Sequence, residues 1–95
     1  MRIVWSPTAR DDLRHLHAYI AQRNPGAARS IARTILDGVG NLRRFPAIGR
    51  PGRVAGTREL VITGTPFVVP YHVIGQAIEI VAVLHGARRW PDDDG

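Results

Sequence analysis

Close to one end of the chain, in the stretch VLHGARRWPDDD, His85, Arg88, Arg89 and Trp90 follow one another within a few positions. Such residues could cut RNA without a metal. An imidazole titrating near neutrality can take the proton of a 2′-hydroxyl, and paired guanidiniums can stabilise the crowded phosphate. The same residue types serve as a contact patch, because Trp and Arg anchor interfaces, or simply end a strand in solvent. Other chemistry is poorly supported. His15 and His17 are two apart and point to different sides of a helix, which gives no shared metal face. His72 and His85 fall on different strands and meet only if the register allows it. Asp92, Asp93 and Asp94 form a flexible acidic run without fixed ligand geometry. The loop GRPGR lacks the lysine and hydroxyl of a phosphate-binding loop, and the absence of cysteine removes thiolate sites, thiol nucleophiles and disulfides. Neither a metal nor a cofactor is expected.

Such residues need a scaffold, and 95 residues allow one small domain with one modest core. The apolar runs are too short to span a bilayer, and MRIVWSP is too weak for a secretory signal, so a cytoplasmic protein without membrane contact is expected. Every positive residue is arginine; thirteen of them against five acids leave residues 1–91 at net +8 before the acidic tail of residues 92–95. GC-rich codon usage is one explanation of the missing lysine but does not account for the charge, which attracts a polyanion or an acidic protein segment.

Arg2–Trp5 reads as a short strand. Ser6-Pro7 then opens a helix as cap and first residue, with Asp11 and Asp12 near its favourable N-terminal dipole. Ala9, Leu13, Leu16 and Ile20 form its apolar face, and it should end near Gln22–Arg23. Asn24-Pro25 repeats the signal, and Ala28, Ile31, Ile35, Val39 and Leu42 make a second stripe that runs to about Arg43. The short turn forces an antiparallel helical hairpin. Residues 46–56 read as a surface loop. Arg58–Thr63, Phe67–Ile74 and Ala77–His85 follow as strands in hairpin order, with Pro70 demanding an edge or a bulge. The expected fold is α+β, β-α-α-β-β-β, with the helical hairpin on one face of a small, mostly antiparallel sheet over residues 1–91. The sheet has more apolar side chains than two helices can cover, so an exposed apolar strip is expected on its other face, as a partner site. Trp5 is expected in the core, Arg58 as a surface ion-pair partner of Glu79, and the Arg10/Arg14 and Arg29/Arg33 pairs as solvated, mildly self-repelling helical faces open to an acidic partner.

In that order of elements, WSPTARDDL, YIAQRNPGAA, LRRFPAIGRPG, GTREL and VLHGARRWP resemble segments of the RelE/ParE superfamily of toxins from type II toxin–antitoxin systems, and most closely its ParE or plasmid-stabilisation branch. The resemblance runs from Ile3 to Pro91. It implies a growth-arresting toxin neutralised by a cognate antitoxin in a hetero-oligomer, meeting operator DNA only through that antitoxin. The target it implies is DNA gyrase for ParE-like members, or mRNA on the ribosome for RelE-like members. The RelE-like nucleases carry an arginine where this chain aligns Phe67, then a basic pair, then a tyrosine or histidine near the end. Here Arg88 and Arg89 match the pair, Phe67 replaces the first arginine, and WPDDDG offers no terminal base. A binding toxin directed at gyrase is therefore the expected function, with Arg58, Glu59, Phe67, Arg88, Arg89, Trp90, Arg10 and Arg14 as target- or antitoxin-contact residues. The alternative is a metal-independent mRNA endonuclease using His85, Arg88 and Arg89. A third reading is a chain whose toxicity has decayed while antitoxin binding persists.

Overall fold

Two residues set the first helix. Ser6 accepts the Ala9 N–H at 3.0 Å on its hydroxyl, Pro7 follows at the first helical position, and α1 spans Pro7–Ala21. Asn24 and Pro25 do the same for α2, Pro25–Gly40, with Asn24 Oδ1 accepting the Ala27 N–H at 3.0 Å. In this computed structural model the described residues are 1–88, 90 and 91; Arg89 and the Asp92–Asp94 tail lie outside them. The second helix stops short of the expected Arg43, and a 3-10 turn over Asn41–Arg43 takes its place. Gly38 and Gly40 lower the helical preference of the last turn, and the tighter turn buries Leu42 completely.

The strands are β1 (Arg2–Trp5), β2 (Arg50–Pro51), β3 (Arg58–Val61), β4 (Phe67–Ile74), β5 (Ala77–Ile80) and β6 (Leu84–His85). They lie in the order β1-β5-β4-β3-β2, with β6 also on β4. β1 is parallel to β5 and the other pairings are antiparallel. Two expectations are corrected. The loop 46–56 contributes a two-residue edge strand, and the expected strand Ala77–His85 is broken in the middle.

The break has a clear cause. Tyr71 pairs with Ile80 and Val68 with Leu84, so two residues of β4 face three on the other side, which is a bulge. Ile62 N–H donates to Phe67 O, and the alternation of an antiparallel ladder then turns the nitrogen of Pro70 away from β3 and toward that bulge. The missing donor of Pro70 thus falls where no ladder bond is needed. Two of the bulge's backbone groups are satisfied from α1 and its cap: Ser6 Oγ donates to Val81 O at 3.0 Å, and Asp12 accepts the Val83 N–H at 3.0 Å. Asp12 therefore anchors the bulge rather than complementing the helix dipole. Ser6→Ala removes both the cap and the Val81 donor and is expected to cost about 1.5 kcal/mol. Ser6→Asp restores the cap alone and should recover part of it, as read by urea denaturation.

The helices cover one face. Ile35, Val39 and Leu42 pack on Val69, Tyr71, Ile78 and Ile80, all essentially buried, and Trp5, expected in the core, is only half-buried against them. The opposite face is less open than its composition suggests. Val68, Ala82 and Leu84 are buried there with Trp90 packed on them, and His72 meets Glu79 at 2.6 Å. Exposed Val4, Val61 and Ile74 remain as separate spots rather than the expected continuous strip.

Candidate binding site

Glu59 alternates with the helix-facing Arg58 and Leu60, so its side chain turns to the sheet's other face. There residues 50–53 fold over it and leave it 1% exposed. Its carboxylate accepts from Arg50 Nη2 at 3.1 Å, from the Arg53 backbone N–H at 3.0 Å and from Arg53 Nε at 3.1 Å. Burial alone raises its pKa. The Arg53 backbone N–H, the Arg50 side chain and the charge of Arg53 outweigh burial and hold the carboxyl below its ordinary value. Glu59 is thus an internal anchor, and its carboxylate is spent on its own chain rather than presented to a partner.

Arg53 also reaches the C-terminal segment, donating from Nη1 to Arg88 O at 2.7 Å and from Nη2 to Gly86 O at 3.4 Å. Gly86 N–H donates to Pro66 O at 2.7 Å. Arg88 is exposed and Trp90 half-buried. His85 lies across from Phe67 in register, and the two rings meet edge to face with centroids 6.0 Å apart. His85 Nδ1 accepts the Ala87 N–H at 3.1 Å, which leaves Nε2 to carry the proton of the neutral ring. Phe67 is partly buried against the core under the helices.

The expected Arg58–Glu79 pair does not form. Arg58 pairs with Tyr71 in register and Glu79 with His72, which places the two on opposite faces of the sheet. Arg58 instead donates from Nη1 to Gly49 O at 2.8 Å and Ala47 O at 3.2 Å. Arg10 and Arg14 share a helical face as expected, but Arg14 is paired with Asp11 at 3.0 Å, which relieves their repulsion.

A groove of about 620 Å³ lies between α1, α2 and β1. Ile3, Val4, Trp5, Leu13, Ala32 and Leu36 line it, and Arg10, Arg14 and His17 complete its wall. It continues past His17 and Leu36 to Arg29 and Arg33. This apolar surface was expected on the sheet and stands on the helices instead. The missed signal is in α2: Ala32 and Leu36 are four apart and off the core stripe, so the helix carries a second apolar line. Leu36 is 49% exposed. Thus Arg10 and Arg14 gather at this groove, while Phe67 and Trp90 lie on opposite faces of the sheet, Phe67 with the core under the helices and Trp90 on Val68, Ala82 and Leu84. Arg89 lies outside the described residues. Among those residues no group of three His, Asp or Glu is close enough to hold a metal, and no helix is long and apolar enough to cross a membrane.

The model of the ParE toxin of the type II toxin–antitoxin system parDE matches residues 3–90. Y4kP of Sinorhizobium fredii, a candidate toxin, is 40% identical over 90 residues, covering 95% of this chain and 93% of that protein. A chain of the chromosomal ParDE toxin–antitoxin system from P. aeruginosa superimposes with a TM-score of 0.80 at 28% identity, over 87% of this chain and 92% of that one. A chain of the toxin–antitoxin complex RelBE2 from Mycobacterium tuberculosis shares the fold, with a TM-score of 0.65 at 23% identity over 88% and 95% of the two chains.

Proposed function

The chain belongs to the ParE toxin family of type II toxin–antitoxin systems, and from that premise we propose that it acts by binding DNA gyrase in the cytoplasm, not by cutting RNA. The observation that carries this reading is the Phe67–His85 contact. Cleavage of RNA without a metal needs a cation where the phosphate sits and a free base beside it. Phe67 supplies hydrocarbon at the aligned position, and Nδ1 of His85 is engaged by the Ala87 N–H. Exposed Arg88 and half-buried Trp90 are the residue types that anchor an interface. They are the proposed target contacts.

A cognate antitoxin is the stable partner, supported by the ParDE and RelBE2 likenesses. Its docking site is the α1–α2–β1 groove, where an apolar floor beside Arg10 and Arg14 suits an acidic amphipathic segment laid in by its apolar face. The test is direct. The purified protein should inhibit supercoiling by gyrase, and expression alone should induce DNA breaks. Arg88→Ala with Trp90→Ala should weaken inhibition by about tenfold or more. Translation arrest with cleavage of ribosome-bound mRNA, and gyrase untouched, would refute the gyrase reading in favour of the nuclease one.

A further inference from the structure

The Arg53 guanidinium divides its donors between two parts of the chain. Nε points inward to Glu59, at 3.1 and 3.3 Å from its two oxygens, while Nη1 and Nη2 point outward to the carbonyls of Arg88 and Gly86. Its own backbone N–H is held by the same carboxylate. The loop beneath is closed by Gly52 N–H on Thr57 O at 2.8 Å and by Thr57 Oγ1 on Val54 O at 2.6 Å. A side chain at Gly52 would run into Thr57 at 2.1 Å. The arginine therefore leaves its loop with little freedom of direction. Beyond residue 85 the described residues are also held by Gly86 N–H on Pro66 O, Ala87 N–H on His85 Nδ1, Arg88 N–H on His85 O, and the packing of Trp90 on Val68, Ala82 and Leu84.

We propose that Arg53, aimed by the buried Glu59, is a latch that fixes the C-terminal segment on the sheet, and that both are positioning residues for the contacts made by Arg88 and Trp90. That last step rests on the proposed function of those two residues; the latch itself does not. The fork geometry is essential, because only a guanidinium can serve an inward carboxylate and two outward carbonyls at once, whereas a lysine ammonium is a single point. Glu59 matters although its carboxylate is sealed from any partner, because it sets the plane in which Arg53 presents its outer nitrogens.

The bond after Arg88 is a trypsin site whose carbonyl is the one held by Arg53, so limited trypsinolysis of the full chain reads the latch locally. Arg53→Lys keeps the charge and loses the fork; Glu59→Gln keeps the shape and loses the ionic aim. Each should speed cleavage after Arg88 by roughly tenfold relative to cleavage after Arg14 and Arg33 in the helices. A global loss of stability raises all three sites together and leaves the ratio where it was, so an unchanged ratio in both variants would overturn the latch. Gyrase supercoiling, assayed on the same samples, separates the two claims. A raised ratio with undiminished inhibition leaves the latch standing and removes the contact role of Arg88 and Trp90. A raised ratio with weakened inhibition supports both.

Discussion

Replacing Tyr71 by alanine is expected to cost about 4 kcal/mol of unfolding free energy, the largest effect of any single truncation considered for this chain. Tyr71 projects from β4 and is fully buried in the core between the sheet and the helices. Its hydroxyl donates to Pro46 O at 2.8 Å and accepts the Gly49 N–H at 2.9 Å. The ring fills the core, and the hydroxyl ties down a loop that has no regular structure at that point. Gly49 itself lies so close that a Cβ would meet the ring at 2.7 Å. Tyr71→Phe separates the two contributions: it keeps the packing and strands a buried N–H and a carbonyl, for about 2 kcal/mol. In a domain of this size that is a fall of roughly 10 °C in Tm. If Tyr71→Phe melts within a degree or two of the parent, the loop is held by Arg58 on the carbonyls of Ala47 and Gly49, and the hydroxyl is dispensable.

That loop marks the boundary of what the sequence makes legible. Ser6-Pro7 and Asn24-Pro25 announce both helices because capping depends on neighbours three residues away, and the Ile35-Val39-Leu42 stripe follows from helical period alone. Pro70 likewise announces an edge or a bulge, and the structure makes it a bulge. The residue range of the bulge is another matter, since it depends on Ser6 and Asp12, which are 75 and 71 positions from the groups they satisfy. Alternation along β3 turns Glu59 to the sheet's other face, but no local pattern shows that residues 50–53 fold back and exclude water there. The same holds for the groove: a second apolar line at Ala32 and Leu36 is visible in α2, yet only the neighbouring β1 edge makes it a groove. The candidate site was legible as residue types and only in part as positions. Phe67 packs with the core under the helices and Trp90 on Val68, Ala82 and Leu84 of the other face, whereas Glu59 and Arg58 bond within their own chain.

The second large effect belongs to Glu59 and depends on pH. Its carboxylate gains more from the Arg53 N–H, Arg50 and Arg53 than it loses by burial, so the folded-state pKa lies below the unfolded one. A depressed carboxylate pKa means that the unfolded chain binds the proton more readily. The contribution of Glu59 is therefore fully present above the unfolded value of about 4.3 and disappears as pH falls through the folded one. The groups facing the carboxylate are Arg50 on β2 and Arg53 in the loop, with Pro70 opposite on β4; both partners stay cationic throughout, so the titration belongs to Glu59. Glu59→Gln should cost about 2 kcal/mol at pH 7. That is less than the 3–5 kcal/mol typical of breaking a buried pair, because Arg50 keeps 54% of its side chain in water and can rehydrate. Urea denaturation of both proteins from pH 7 to pH 3 should show the difference shrinking once pH drops below the unfolded value. A difference that stays constant across that range would mean the cost of Glu59→Gln is steric. The carboxylate would then aim Arg53 by shape and hydrogen bonding, and ionic attraction would have no part in holding the loop.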